Sequence, residues 1–131
     1  MEDLLVSLSK KKIMMKIFLS FLLVGLATIS CAQKRVTQEE FKKLMKNPSA
    51  QILDVRTAQE VAAGKIAGSV NVDYFSASFK ESVVKKLDKN KPVLVYCAAG
   101  GRSASAAKDL KKAGFKHVYD LEGGYDSWKE W

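Results

Sequence analysis

At 131 residues the chain has room for one domain with a full core. Its 22 basic and 14 acidic residues leave a net charge of +8, spread over Lys42-Lys43, Lys85-Lys86, Lys89, Lys91 and Lys111-Lys112. These lysines read as solvated helix faces, and no basic patch interleaved with aromatics accompanies them, which argues against nucleic-acid binding. The mild positive field favours the approach of an anionic substrate.

Residues 17–29 form an apolar run preceded by Lys10-Lys11-Lys12 and Lys16. A basic segment, a short apolar stretch and small residues at its end predict an export signal over residues 1–32. The run is short for a membrane span. Met15-Lys16 would open a conventional signal by itself, so residues 1–14 read as an upstream start or an extended basic region. Two processing chemistries compete. Ser30-Cys31-Ala32 fits a small-x-small cut before Gln33, whereas Cys31 followed by a polar tether resembles a bacterial lipoprotein signal. A cysteine placed there otherwise has no evident purpose, so lipidation of Cys31 is the expected reading. The protein is then expected to be exported to the bacterial periplasm or lipid-anchored in the cell envelope. Contact with the membrane would come only through that signal or lipid.

The domain follows over residues 33–131. Val36 marks a short strand, and Thr37-Gln38-Glu39-Glu40 a capping box. Phe41, Leu44 and Met45 share one face of the helix that Asn47-Pro48 stops. Residues 51–55 read as a second strand. Thr57 caps a short helix that Gly64 ends, and residues 70–72 form a third strand. Residues 78–87 are helical, with Phe79, Val83 and Leu87 at core spacing. A central strand, a helix with Ala104, Ala107 and Leu110 inward, and a last strand over 117–121 complete the alternation. Glu122-Gly123-Gly124 turns into a final short helix carrying Trp128 and Trp131. Alternating strands and helices with short links predict an α/β fold, with a mainly parallel central sheet of about five strands and helices on both faces.

The chemistry centres on residues 92–103. Val93 to Tyr96 are an uninterrupted apolar run, as in a strand covered on both faces. Cys97 then stands at the carboxyl end of that strand, where open α/β sheets place their sites. Ala98, Ala99, Gly100 and Gly101 are small, so backbone amides can converge without side chains in the way. Ser103 is the expected cap of the next helix. A thiolate at Cys97 would be stabilised by these amides and the helix start, in partly open surroundings. His117 lies at a strand start and reads as structural, and no base stands near Cys97 in sequence.

Three blocks carry a resemblance. They are Leu53-Asp54-Val55-Arg56 with Glu60 and residues 64–71; Val95 to Ser103; and Leu121-Glu122-Gly123-Gly124 with Trp128. In this order they resemble the single-domain rhodanese family, from about Val36 to Trp131. The resemblance implies sulfur transfer: Cys97 takes a sulfane sulfur from a small anionic donor such as thiosulfate and holds it as a persulfide. It then passes the sulfur to a thiol or cyanide. Ala98, Ala99, Gly100, Gly101, Arg102 and Ser103 match the substrate cradle, and Asp54 and Arg56 match supporting positions that brace loop and sheet. No metal and no cofactor is called for, and a monomer is expected.

Lys65 and Ala67 depart from the family's usual histidine and proline, and positions 98 and 99 lack basic residues. Arg102 is the loop's one cation, to contact a donor or to pin the loop to an acidic neighbour. Two rivals stand beside this reading. A non-enzymatic rhodanese-like sulfur carrier or binding module is one, though such modules commonly lack the cysteine. An arsenate reductase or phosphatase is the other, but its cradle places five residues between cysteine and arginine, where this chain has four between Cys97 and Arg102.

Overall fold

The computed structural model describes residues 2–24 and 33–130. The chain divides into two units, Met1–Ser30 and Cys31–Trp131. The first contributes one helix, α1 (Glu2–Val24). Among the described residues no helix is long and apolar enough to cross a membrane. Cys31, the expected lipidation position, lies outside the described residues.

The second unit alternates β1 (Lys34–Val36), α2 (Gln38–Met45), β2 (Gln51–Asp54), α3 (Ala58–Ala62), β3 (Val70–Asn71), α4 (Phe79–Lys86), β4 (Val93–Tyr96), α5 (Gly101–Lys112) and β5 (Val118–Leu121). The strands form one sheet in the order β1-β5-β4-β2-β3, and every pairing is parallel. The α/β architecture with five parallel strands is the one expected from the alternating pattern. β4 lies at the centre with all four residues buried, as its unbroken apolar run requires.

Successive β4 side chains point to opposite faces. Val93 and Val95 join Phe79, Val83 and Leu87 around α4, with Ala106, Ala107 and Leu110 of α5. Leu94 and Tyr96 join Phe41 of α2, Ile66 and Leu121 on the other face, with Trp128 packed against them. Helices therefore cover both faces.

Several local expectations change. At Thr37 only half of a capping box forms: Thr37 Oγ1 accepts from Glu40 N–H, but the Glu40 carboxylate takes Lys34 Nζ at 2.8 Å instead. The reciprocal box stands at Thr57, whose backbone N–H donates to Glu60. α5 starts at Gly101, before the expected cap, because Gly100 adopts a left-handed φ of 112° and Ser103 falls inside the first turn. Its buried face is Ser103, Ala106, Ala107 and Leu110: Ala107 and Leu110 point inward as expected, while Ala104 is only half-buried. The last element is a single 3-10 turn, Tyr125–Ser127. Trp128 follows that turn and sets its ring edge against Phe41 at 5.9 Å. Trp131 lies outside the described residues.

Candidate active site

Strand β4 delivers Cys97 to the start of α5. The Gly100 N–H donates to Cys97 Sγ at 3.0 Å, and Cys97 Sγ lies 3.4 Å from Ser103 Oγ. The first-turn amides of α5 at Gly101, Arg102 and Ser103 have no carbonyl of their own helix to bond, so this helix end favours an anion beside it. Cys97 is 1% exposed, a buried residue and not one in partly open surroundings. Gly100 and Ser103 hold the sulfur inward, while the exposed loop residues are Ala99 and Gly101.

Ser103 does not cap the helix. Its hydroxyl donates to Gly100 O at 3.2 Å, a carbonyl that also accepts from Arg35 Nη2 at 2.9 Å and from Ala104 N–H. These bonds fix the turn that aims the Gly100 amide at the sulfur.

Arg102 is held by Glu60. Its two terminal nitrogens donate to the two Glu60 oxygens at 2.8 and 2.7 Å. The Arg102 guanidinium, aided by the Thr57 amide, holds the Glu60 carboxyl down to about 2. The loop cation is thus pinned to an acidic neighbour.

Asp54 and Arg56 belong to the other side of β4. Asp54 pairs in register with Tyr96 and accepts the Tyr96 hydroxyl at 2.7 Å. Arg56 donates to both Asp54 oxygens and to Gly64 O, and its guanidinium lies 4.3 Å from the Tyr125 ring centre. The pair braces the sheet and the turn after α3. His117 is exposed, and its carbonyl accepts from Val93 N–H.

The sequence reading missed how the third block works. Tyr125 N–H donates to Cys97 O at 2.8 Å and Asp126 N–H to Ala98 O at 2.9 Å. This approach needs Gly124: a Cβ there would run into the Cys97 and Ala98 carbonyls. Its φ of 58° and ψ of −162° belong to a region essentially reserved for glycine. Gly124→Ala is expected to cost about 1–3 kcal/mol in backbone strain and to displace the Cys97 loop. Urea denaturation and the alkylation rate of Cys97 would measure both. Wild-type values for the two would show that the loop is not gripped here.

The rhodanese-like domain family matches residues 37–130. This chain belongs to the rhodanese-like domain family. The thiosulfate sulfurtransferase GlpE of Pseudomonas putida is 35% identical over 96 residues, 73% of this chain and 84% of that protein. The Coxiella burnetii protein of the same name is 38% identical, over 73% of this chain and 87% of its own length. Among solved structures, a rhodanese-like domain protein from Staphylococcus aureus superimposes with a TM-score of 0.65 at 31% identity, covering 75% of this chain and 93% of that one. The three sequence blocks of this rhodanese domain thus meet in space: the second carries the thiol, the first supplies Glu60 to its arginine, and the third grips its backbone.

Proposed function

We propose that the rhodanese domain is a sulfurtransferase working through a persulfide on Cys97. The observation that carries this reading is the Gly100 amide on Cys97 Sγ at the N-terminus of α5. Relatives named thiosulfate sulfurtransferase support it. The Cys97 thiolate attacks the sulfane sulfur of a donor such as thiosulfate. The donor's S–S bond breaks and sulfite leaves with the electron pair. The outer sulfur of the persulfide carries the negative charge, and preorganised amides stabilise such an anion without reorganising. A thiolate or cyanide acceptor then attacks that outer sulfur, and Cys97 leaves as the thiolate. No external oxidant or reductant enters. If the lipoprotein-type signal operates, this chemistry takes place in the cell envelope with Cys31 as tether.

Intact mass before and after thiosulfate tests the step. The protein should gain one sulfur atom, lose it with dithiothreitol, and gain none as Cys97→Ser. No gain, with Cys97 still alkylatable, would overturn thiosulfate as donor and favour the binding-module reading.

A further inference from the structure

The lysines that read in sequence as solvated helix faces gather at one end of the sheet. Every strand pairing is parallel, so the loops that lead into β2, β4 and β5 share the amino end, opposite Cys97. These loops span residues 46–50, 87–92 and 113–117. They hold exposed Lys46, Lys89, Lys91 and Lys116, and α4 and α5 end on exposed Lys86 and Lys112. The three loops contain one acidic residue, Asp88, whose carboxylate accepts Asn90 N–H at 2.8 Å. The carboxyl end has the opposite balance. Its loops carry Asp73, Glu122 and Asp126, and its arginines are occupied, Arg56 by Asp54 and Arg102 by Glu60.

Lysines at a helix C-terminus complement the helix dipole, which accounts for Lys86 and Lys112. It does not account for Lys89, Lys91 and Lys116, which lie in loops. Those loops are tied together. Lys116 N–H donates to Lys89 O at 3.0 Å, Lys111 Nζ donates to Lys116 O at 2.9 Å, and Gln51 and Asp88 exchange two hydrogen bonds. Charges of one sign held at one end repel each other, a cost that an anionic partner relieves.

The kind of anion follows from what stands among the lysines. The three loops contain no arginine, and their one phenylalanine, Phe115, is 1% exposed. Nucleic-acid surfaces combine arginine and exposed aromatics with their lysines, whereas a spread of lysine point charges suits lipid headgroups. The chain also enters the domain here: β1 begins at Lys34, which pairs with Tyr119 near the start of β5. Residues 1–32, read from the sequence as an export signal, therefore lead into this end, and a membrane engaged by that signal would lie on the side of this face. We propose that the amino end of the sheet docks electrostatically on an anionic phospholipid bilayer, with Cys97 turned away from it. This is a second membrane contact, made by the domain itself. The four residues of β4 set Cys97 about 13 Å behind the docking face, where a soluble donor and acceptor still reach it.

Co-sedimentation of the full chain with vesicles tests the docking, using phosphatidylcholine alone and phosphatidylcholine with about one-third phosphatidylglycerol. Neutral vesicles measure what the apolar run at residues 17–29 binds by itself, and the lysines before that run are the same in every variant. Each lysine beside an anionic surface adds about fivefold to binding. Lys89→Gln with Lys91→Gln should therefore weaken binding to the anionic vesicles about 25-fold, and added salt should weaken wild type in the same direction. Lys80→Gln with Lys129→Gln removes equal charge from the other end: Lys80 lies in the first turn of α4, and the Lys129 carbonyl accepts from Gln38 at the start of α2. That pair should cost less than about threefold, its charges lying beyond a screening length from the bilayer. Where the apolar run already holds the chain on neutral vesicles, lysine acylation read by peptide mass spectrometry decides. Lys89 and Lys91 should be protected on anionic vesicles and open on neutral ones, with the Cys97 alkylation rate unchanged. Equal weakening by the two double variants, no added protection on anionic vesicles, or slower Cys97 alkylation there would overturn the docking. So would tighter binding of a DNA duplex than of the anionic vesicles, lost in the Lys89 and Lys91 double variant, which would make the face a nucleic-acid surface.

Discussion

Cys97→Ser is expected to remove turnover of thiosulfate with cyanide, by about a thousandfold or more as for other essential nucleophiles, and to leave the fold in place. Serine fills nearly the same volume in a site that is 1% exposed, and its oxygen can still accept the Gly100 amide that now bonds the sulfur. What it loses is chemical. A hydroxyl is a far weaker nucleophile at neutral pH, and it cannot carry the extra sulfur as a disulfide-like anion. Urea denaturation should therefore give a midpoint close to wild type while steady-state activity vanishes. Activity retained in a pure, correctly folded sample would end the assignment of Cys97 as the sulfur carrier. A collapsed midpoint would show that the thiol is a packing residue.

Cys97 was legible because its context is local. A strand buried on both faces announces itself as four consecutive apolar residues, and small residues after it announce a loop where backbone does the binding. Boundaries that depend on a single dihedral were not legible. Ser103 is a good cap by preference, but the left-handed Gly100 starts α5 early and turns the serine inward to the thiol. Residue preference cannot reveal which glycine takes that conformation. The capping box at Thr37 failed for a related reason: Lys34, six residues from Glu40, claims its carboxylate.

Partners distant in sequence were the least legible. Glu60 and Arg102 are 42 residues apart, and Arg35 and Asp120 are 85 apart. Glu60 closes the capping box at Thr57, and nothing local shows that its two oxygens also clamp the loop arginine. Arg35 reaches Asp120 because β1 pairs with β5 at the edge of the sheet, with Arg35 opposite Asp120. Only strand order supplies that pairing. The resemblance put Asp54 and Arg56 in supporting places, and the structure shows what they support: Tyr96 and the Gly64 turn, across β4 from the thiol.

That placement sets up a large effect on stability. Asp54→Asn is expected to cost about 3–5 kcal/mol, the range for breaking one side of a buried ion pair. Asp54 is fully buried and Arg56 is 3% exposed. The carboxylate accepts Arg56 N–H and Nε at Oδ1, and Nη2 and the Tyr96 hydroxyl at Oδ2. Asparagine keeps the shape but leaves the guanidinium buried without its counter-charge, and turns an amide group toward donors. Arg56→Leu should destabilise comparably, by stranding the carboxylate. The double variant Asp54→Asn with Arg56→Leu should recover part of the loss, because neither charge is then left alone. Urea denaturation of the four proteins measures the coupling. Strict additivity, or a loss under about 1 kcal/mol for Asp54→Asn, would place the pair among solvent-screened bridges. The same proteins separate fold from chemistry. Tyr96 carries the brace and Cys97 follows it in the chain, but the two side chains enter different core clusters on opposite faces. Well below the unfolding midpoint, Asp54→Asn should therefore keep a Cys97 alkylation rate within a few-fold of wild type. A rate that falls as far as the stability does would make Asp54 part of the site itself.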